Sequence, residues 1–174
     1  MNKIAIIVGG ADQTMDEYHR FTSLFPTFER ATFVINDMIA AFPDYIDHAV
    51  TLHPDKLKKW AHDRNAAKLV VPGQVWAHRP HPLVSSHTSD WGGSSGLFAF
   101  KIARELEFKK IVFCGVPMDA QSNHFVRHTR WNASAAFRRG WNIRLNIIKP
   151  YARSFSGWTM QQLGAPTLEW LAGE

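Results

Sequence analysis

Ile4-Ala5-Ile6-Ile7-Val8-Gly9-Gly10-Ala11-Asp12 couples five consecutive apolar residues to a pair of glycines. A half-solvated strand alternates apolar with polar residues; an unbroken β-branched run reads as a strand covered on both faces. Glycine at the end of such a strand permits a tight turn into a helix and close backbone approach to a ligand. Gly9 and Gly10 alone lack the full dinucleotide fingerprint, so NAD is not expected. A strand-to-helix turn with no ligand accounts for them equally well.

Working outward, runs of the same kind recur at Thr32 to Ile35, His48 to Leu52, Lys68 to Val71, Ile111 to Cys114 and Ile143 to Ile148. Helical patterns separate several of them: Met15 to Leu24, Pro54 to Arg64, and Ser94 to Leu106. In the last, Leu97, Phe98, Ile102, Ala103 and Leu106 recur at helical spacing, while Lys101, Arg104 and Glu105 fall largely on the other face. Pro54 in a first turn, with Asp55 next and lysines further on, marks a helix start. Strand and helix in alternation imply right-handed crossovers and a parallel sheet. The expectation is a single α/β domain over residues 1–174, Rossmann-like and three-layered, with a mostly parallel sheet of about six strands. Gly157 to Leu171 reads as one or two short helices broken by Gly164 and Pro166. Pro72 to Gly93 has no period, and a structureless loop of that length in a compact domain is usually functional.

Composition narrows the function classes. A length of 174 residues with 45% hydrophobic content suits one globular core. No run of about 18 apolar residues appears, so no membrane span is expected, and the start is too short for a signal peptide. The single cysteine, Cys114, excludes an intramolecular disulfide and a cysteine-built zinc site, which fits a cytoplasmic protein. The net charge of +5 favours an anionic partner. Its cations are spread along the chain, so nucleotides and sugar phosphates are expected ahead of nucleic acid.

Ligands of open parallel sheets bind beyond the carboxyl ends of the strands. Four segments should converge there. Gly9 and Gly10 are the first. Asp90-Trp91-Gly92-Gly93-Ser94-Ser95-Gly96 is the second: a helix start with free N–H groups and two hydroxyls is an anion cradle, although Ser94 or Ser95 as a plain helix cap uses the same groups. Asn36 and Asp37 after the second strand, with His53 after the third, offer polar contacts to a base or ribose, or cap helices. Asp119 through His128 is the fourth. His124 and His128 are four apart, so on a helix they would share a face, and they read as a general base, as metal ligands with Asp119, or as structural residues. His78, His81 and His87 crowd the Pro72 to Gly93 loop, where Trp76 and Arg79 are candidate substrate contacts. Arg153, ahead of Ser154 and Ser156, either clamps an anion or belongs to a cap. Met15, Met38 and Met160 read as core filler.

These motifs, in this order, resemble the bacterial sialyltransferases that use a CMP-sugar donor, and the broader Rossmann-like group that includes a pterin diphosphokinase. Gly9-Gly10-Ala11 stands where that family has a Gly-Asn-Gly-type loop, Asn36 where an asparagine meets the nucleotide, and Ser94-Ser95-Gly96 where a Thr-Ser-Gly helix start occurs. Glu107-Phe108-Lys109 and Gly115 follow in register. His124-Phe125-Val126-Arg127-His128 matches a His-aromatic-aliphatic-x-His pattern whose second histidine is the family's catalytic base. The chain departs from the family at Val116-Pro117-Met118-Asp119, where tyrosines are usual, and at His53, where an asparagine is. It is also shorter than a full sialyltransferase, so the family's lid and membrane-associating tail are not expected in it. Small proteins of tailed phages look similar, which would place it in a host cytoplasm.

The resemblance implies a metal-independent transferase with no required cofactor and a nucleotide-sugar donor as substrate. Gly9, Gly10, Ser94, Ser95 and Gly96 would hold phosphate, with Arg153 a further binding candidate from its own setting rather than from the resemblance; Asn36 and His53 would hold the nucleoside or sugar, and His128, with His124, would provide the base. The acceptor would be a glycan, a nucleotide or DNA; self-association into a homo-oligomer stays open. Competing expectations are a non-catalytic nucleotide-sequestering module, a metal-assisted phosphoryl or diphosphoryl transferase, and a DNA-binding accessory.

Overall fold

A computed structural model describes residues 3–92 and 94–173; Gly93, expected at the entry to the anion cradle, lies outside the described residues. The strands are β1 (Ile4–Val8), β2 (Arg30–Ile35), β3 (His48–Thr51), β4 (Gln74–Ala77), β5 (Ser86–His87), β6 (Lys110–Cys114) and β7 (Ala152–Ser154). The helices are α1 (Thr14–Leu24), α2 (Met38–Ala41), α3 (Leu57–Ala66, entered by a 3-10 turn at Pro54–Lys56), α4 (Ser95–Glu105), α5 (Ser134–Ile148), α6 (Gly157–Leu163) and α7 (Leu168–Ala172).

One sheet takes in all seven strands, in the order β5-β4-β3-β2-β1-β6-β7, and every pairing between them is parallel. The fold is therefore α/β and Rossmann-like, with seven strands rather than six. All five residues of β1 are fully buried, and they alternate between two cores. Ile4, Ile6 and Val8 pack with Phe21 of α1, Met38 of α2 and Trp60 of α3 on one face. Ala5 and Ile7 pack with Leu97 and Phe98 of α4 and Trp141 of α5 on the other. A buried aliphatic side chain of this kind contributes about 1.5–3 kcal/mol, which is why the uninterrupted run signals a central strand.

Two expected strands are corrected. Lys68 to Val71 is not a strand: Lys68 takes a left-handed φ of 58° at the end of α3, and Val70 and Val71 are 61% and 72% exposed. The strand lies further on, at Gln74–Ala77, beside the outermost pairing with β5. Both β4 and β5 fall in the stretch expected to be structureless. Ile143 to Ile148 is the end of α5, with Ile148 buried and Ile143 and Ile147 turned to solvent. No helix among the described residues is long and apolar enough to cross a membrane.

Candidate functional site

β1 has β2 on one side and β6 on the other, so the chain leaves β1 in one direction and later returns to pair with its opposite edge. Such a reversal opens a crevice at the carboxyl ends of the strands. Leu52 and His53 follow β3, Ile35 and Asn36 end and follow β2, Gly10 and Ala11 follow β1, and Gly115 to Asp119 follow β6. All of these line one cavity of about 290 Å³, together with Ser94, Ser95 and Gly96 at the tip of α4. Four neighbouring strand ends span about 15 Å at the usual strand spacing.

The glycine turn is shaped by packing. Gly9 N–H donates to Cys114 O at 2.7 Å, and Thr14 Oγ1 donates to Gly9 O at 2.9 Å. A Cβ on Gly9 would collide with the Gly115 carbonyl and the Val116 side chain, and one on Gly10 would stand 2.9 Å from His124 Nε2. Gly10 lines the cavity; Gly9 sits behind it, against β6.

Opposite, the Ser94 hydroxyl and the Asn36 carboxamide oxygen are already engaged as acceptors, and the Ser95 hydroxyl as a donor. Ser94 caps α4 by accepting from Leu97 N–H at 3.3 Å, and it also accepts from Trp141 Nε1 at 3.0 Å. With both lone pairs in use, its O–H is left as a donor. Asn36 Oδ1 accepts from Thr51 Oγ1 at 3.0 Å and from Ser95 Oγ at 3.2 Å, so the Nδ2 group has donors only, with no protein partner among the described residues. Thr51 Oγ1 in turn accepts from His53 N–H at 2.8 Å. The N–H groups of Ser95 and Gly96 precede the first intrahelical bond, from Phe98 N to Ser94 O. Asn36 and Met118 both have a left-handed φ of 53°, a conformation that asparagine tolerates and methionine seldom adopts.

Across the mouth lies the segment between β6 and α5. It is not a helix around the two histidines, so the shared helical face that their spacing would allow does not form. A single turn is closed by His128 N–H donating to His124 O at 2.7 Å, and His128 ends it with φ 51°. His124 Nδ1 accepts from the N–H groups of Val126 and Arg127, each at 3.2 Å, which puts the ring proton on Nε2, 3.4 Å from Asp37 Oδ2. Burial, then Arg127 beside it, holds the His124 pKa below 6.5. Asp37 also accepts from Trp60 Nε1 at 2.8 Å and faces Arg127 Nε at 3.3 Å. It is a latch between this segment and the α2–α3 side rather than a helix cap. Asp119 closes a local turn by accepting from Gln121 N–H and Ser122 N–H at 3.0 and 3.1 Å.

Of the residues expected at the site, Gly10, Asn36, His53, Ser94, Ser95, Gly96 and His124 line the cavity. His128 is exposed and does not line it. Arg153 is elsewhere: its Nη1 donates to Lys149 O at 2.9 Å and Ala152 O at 2.7 Å, and its guanidinium lies 4.6 Å from the Trp170 ring centre. Trp76 and Arg79 are also outside the lining: Trp76 Nε1 donates to His48 Nδ1 at 3.2 Å, and Arg79 stands 3.8 Å from Asp55. No group of three or more His, Cys, Asp or Glu among the described residues is placed to hold a metal ion. Burial, then Lys56, holds the His53 pKa below 6.5.

Two lining residues escaped the sequence reading, Trp131 and Phe137, while Met118 and Arg127 entered it only as members of quoted stretches. Trp131 and Phe137 stack at 5.5 Å with 24° between their planes, and form an aromatic wall. Arg127 lay inside the histidine pattern, but nothing in a lone Trp or Phe marks it as a lining residue. Compared with known proteins, the chain matches no family model, no curated protein and no solved structure.

Proposed function

We propose that the chain binds a phosphorylated small molecule of nucleotide type in this cavity. The observation that carries the reading is the one-sided chemistry of the α4 tip. The Ser94 hydroxyl and the Asn36 carboxamide have their acceptor sites filled by Leu97, Trp141, Thr51 and Ser95, and offer only donors. Beside them are the first N–H groups of a helix, where an anion is stabilised by about 0.3–1 kcal/mol at an exposed site and more where water is excluded. The stacked Trp131 and Phe137 supply an apolar wall suited to a planar base. The volume is at the lower end of the range for small-ligand sites, which favours a mononucleotide portion over a dinucleotide.

A second reading adds transfer of the activated group to an acceptor. It keeps the nucleotide half of the resemblance to the sialyltransferases and moves the base. His124 has both ring nitrogens committed and His128 does not line the cavity, whereas His53 lines it as an imidazole biased to the neutral form. His53 would take the acceptor proton, and the α4 tip would stabilise the departing phosphate.

A thermal-shift panel of nucleotides, nucleotide sugars and unphosphorylated nucleosides, with and without chelator, tests the binding. A ligand at about 100 times its Kd adds roughly 2.7 kcal/mol of apparent stability. Shifts by phosphorylated members alone support the reading. Equal shifts by the bare nucleosides, or none by any nucleotide, overturn it.

A further inference from the structure

The segment across the cavity mouth is fastened at three neighbouring strand ends. Asp119, on the stretch that follows β6, turns it by accepting from the N–H groups of Gln121 and Ser122. Asn123 O accepts from Asp12 N–H at 2.9 Å and Phe125 N–H donates to Gly10 O at 2.7 Å, so its middle lies on the turn that follows β1. Arg127 then meets Asp37, which follows β2. Since β6, β1 and β2 are adjacent in the sheet, Asp119 and Arg127 stand about 10 Å apart at the usual strand spacing.

These two residues carry the opposite charges of the cavity wall. Among the described lining residues, Arg127 is the one Lys or Arg and Asp119 the one Asp or Glu. Arg127 is held at its root. Its N–H donates to His124 Nδ1 at 3.2 Å, and its Nε lies 3.3 Å from Asp37 Oδ2. Asp37 is itself fixed by Trp60 Nε1 at 2.8 Å. Beyond Nε the guanidinium is free: neither Nη1 nor Nη2 has an acceptor among the described residues, and the side chain is 61% exposed.

We infer that Arg127 selects a phosphorylated ligand over its bare nucleoside, and that the ligand lies across the crevice with its phosphate towards β2 and its base towards β6. This rests on the cavity being the nucleotide site proposed above. A guanidinium fork matches two phosphate oxygens at once. At the same end, the Asn36 donors stand one residue from Asp37. At the other end Asp119 repels an anion. The aromatic wall is also there: Phe137 adjoins Arg138, whose Nε donates at 2.6 Å to Met118 O, next to Asp119. Charge and apolar surface are thus separated along the crevice as phosphate and base are in a nucleotide. A purely structural latch would explain the pairing with Asp37 but leaves the rest of the fork without a role, and an exposed ion pair adds little to stability.

The test is NMR titration of the amide-labelled protein with cytidine 5′-monophosphate and with cytidine, which reads weak binders as well as tight ones. The parent should prefer the phosphate, and the amide signals that differ between the two complexes should centre on Asn36 and Arg127. Arg127→Gln should weaken the monophosphate by about tenfold or more, the scale of a lost bond to a charged group, and leave cytidine unchanged. Arg127→Lys, which keeps the charge and loses the fork, should fall between the two. Because Arg127→Gln also bares Asp37, the double variant Asp37→Asn/Arg127→Gln is the control, and it should stay as weak. Recovery there would make Arg127 a mask for Asp37 and overturn the inference. So would an equal loss of cytidine and its phosphate, an unchanged preference in Arg127→Gln, or signal differences centred on Asp119. A parent with no preference for the phosphate would instead bring down the nucleotide site itself, and the inference with it.

Discussion

Asn36 and Ser95 are 59 residues apart in the chain, and the Ser95 hydroxyl donates to Asn36 Oδ1 at 3.2 Å. That contact joins the end of β2 to the first residue of α4 and fixes which half of the carboxamide faces the cavity. Thr51, from the neighbouring strand β3, makes the second bond to the same oxygen. The donor character of the site is thus set by two hydroxyls, that of Thr51 behind the cavity and that of Ser95 in its wall.

Thr51→Val tests this support. The variant keeps the shape, removes one donor to Asn36 and leaves His53 N–H without its acceptor. An unmet polar group costs about 1–3 kcal/mol when buried, and the exposed setting of His53 puts this one at the lower end; at this chain length each kcal/mol moves Tm by about 2–4 °C. Calorimetry should therefore show a Tm lowered by several degrees, with ligand affinity reduced as well. An unchanged Tm would mean that the Thr51–Asn36 bond contributes nothing.

The two glycines of the turn should differ in sensitivity. Gly9→Ala drives a methyl into the backbone carbonyl of Gly115, a residue held on both sides by hydrogen bonds with Ala11 N–H and the Glu17 carboxylate. Gly10→Ala meets the end of the His124 side chain, which can give way at the cost of its long contacts to Asp37, Val126 and Arg127 without moving a strand. Urea unfolding should show Gly9→Ala to be the more damaging by at least about 1 kcal/mol. Equal losses would contradict the packing described for the turn.

His124 should make the segment across the mouth sensitive to acid. Its folded pKa is depressed, first by burial and then by Arg127, with His128 acting in the same sense and Asp37 opposing. A depressed pKa means stability that is fully present above the unfolded value near 6.5 and lost as pH falls through the folded one. Protonating Nδ1 would also remove the acceptor for two backbone amides. Exchange rates of the Val126 and Arg127 amides, corrected for intrinsic rates, should rise on going from pH 7.5 to 5. They should be high and pH-independent in His124→Ala.

If the cavity transfers a group, its rate should follow neutral His53. With the pKa held below 6.5 by burial and Lys56, kcat should climb with pH in the acidic range and level off before neutrality. His53→Gln should suppress kcat by about 100-fold or more, the usual scale of base catalysis, with KM for the nucleotide little changed. A profile that keeps rising past pH 8 would assign the proton to another group.

Much of the sheet was legible because its central strands are apolar on both faces: β1 matches the run Ile4 to Val8, and β6 the run Ile111 to Cys114 with Lys110 added. Helix α4 announced itself by its capping serine and its apolar stripe. The outer strands did not. β4 reads Gln-Val-Trp-Ala, half exposed, and β5 is two residues long, so neither has a period to detect. Ile143 to Ile148 misled for the opposite reason. Two of its isoleucines face solvent, and the helical spacing of Trp141, Leu145 and Ile148 was the better guide. At the site, residues that follow a strand or open a helix were found, because topology alone puts them there. The positions of His128 and Arg153 depend on a left-handed turn and on a three-residue edge strand, β7, neither of which has a sequence signature.

Asn36→Asp is the most direct test of the account. Aspartate keeps the size, tolerates the left-handed backbone, and still accepts from Thr51 and Ser95, but it puts a carboxylate oxygen where the Nδ2 donors stand. Calorimetric titration with cytidine 5′-monophosphate should show a stably folded variant whose affinity has dropped by at least about tenfold, the cost of one lost donor, while the parent binds. Unchanged affinity in Asn36→Asp, or a parent that binds cytidine as well as its phosphate, would contradict it.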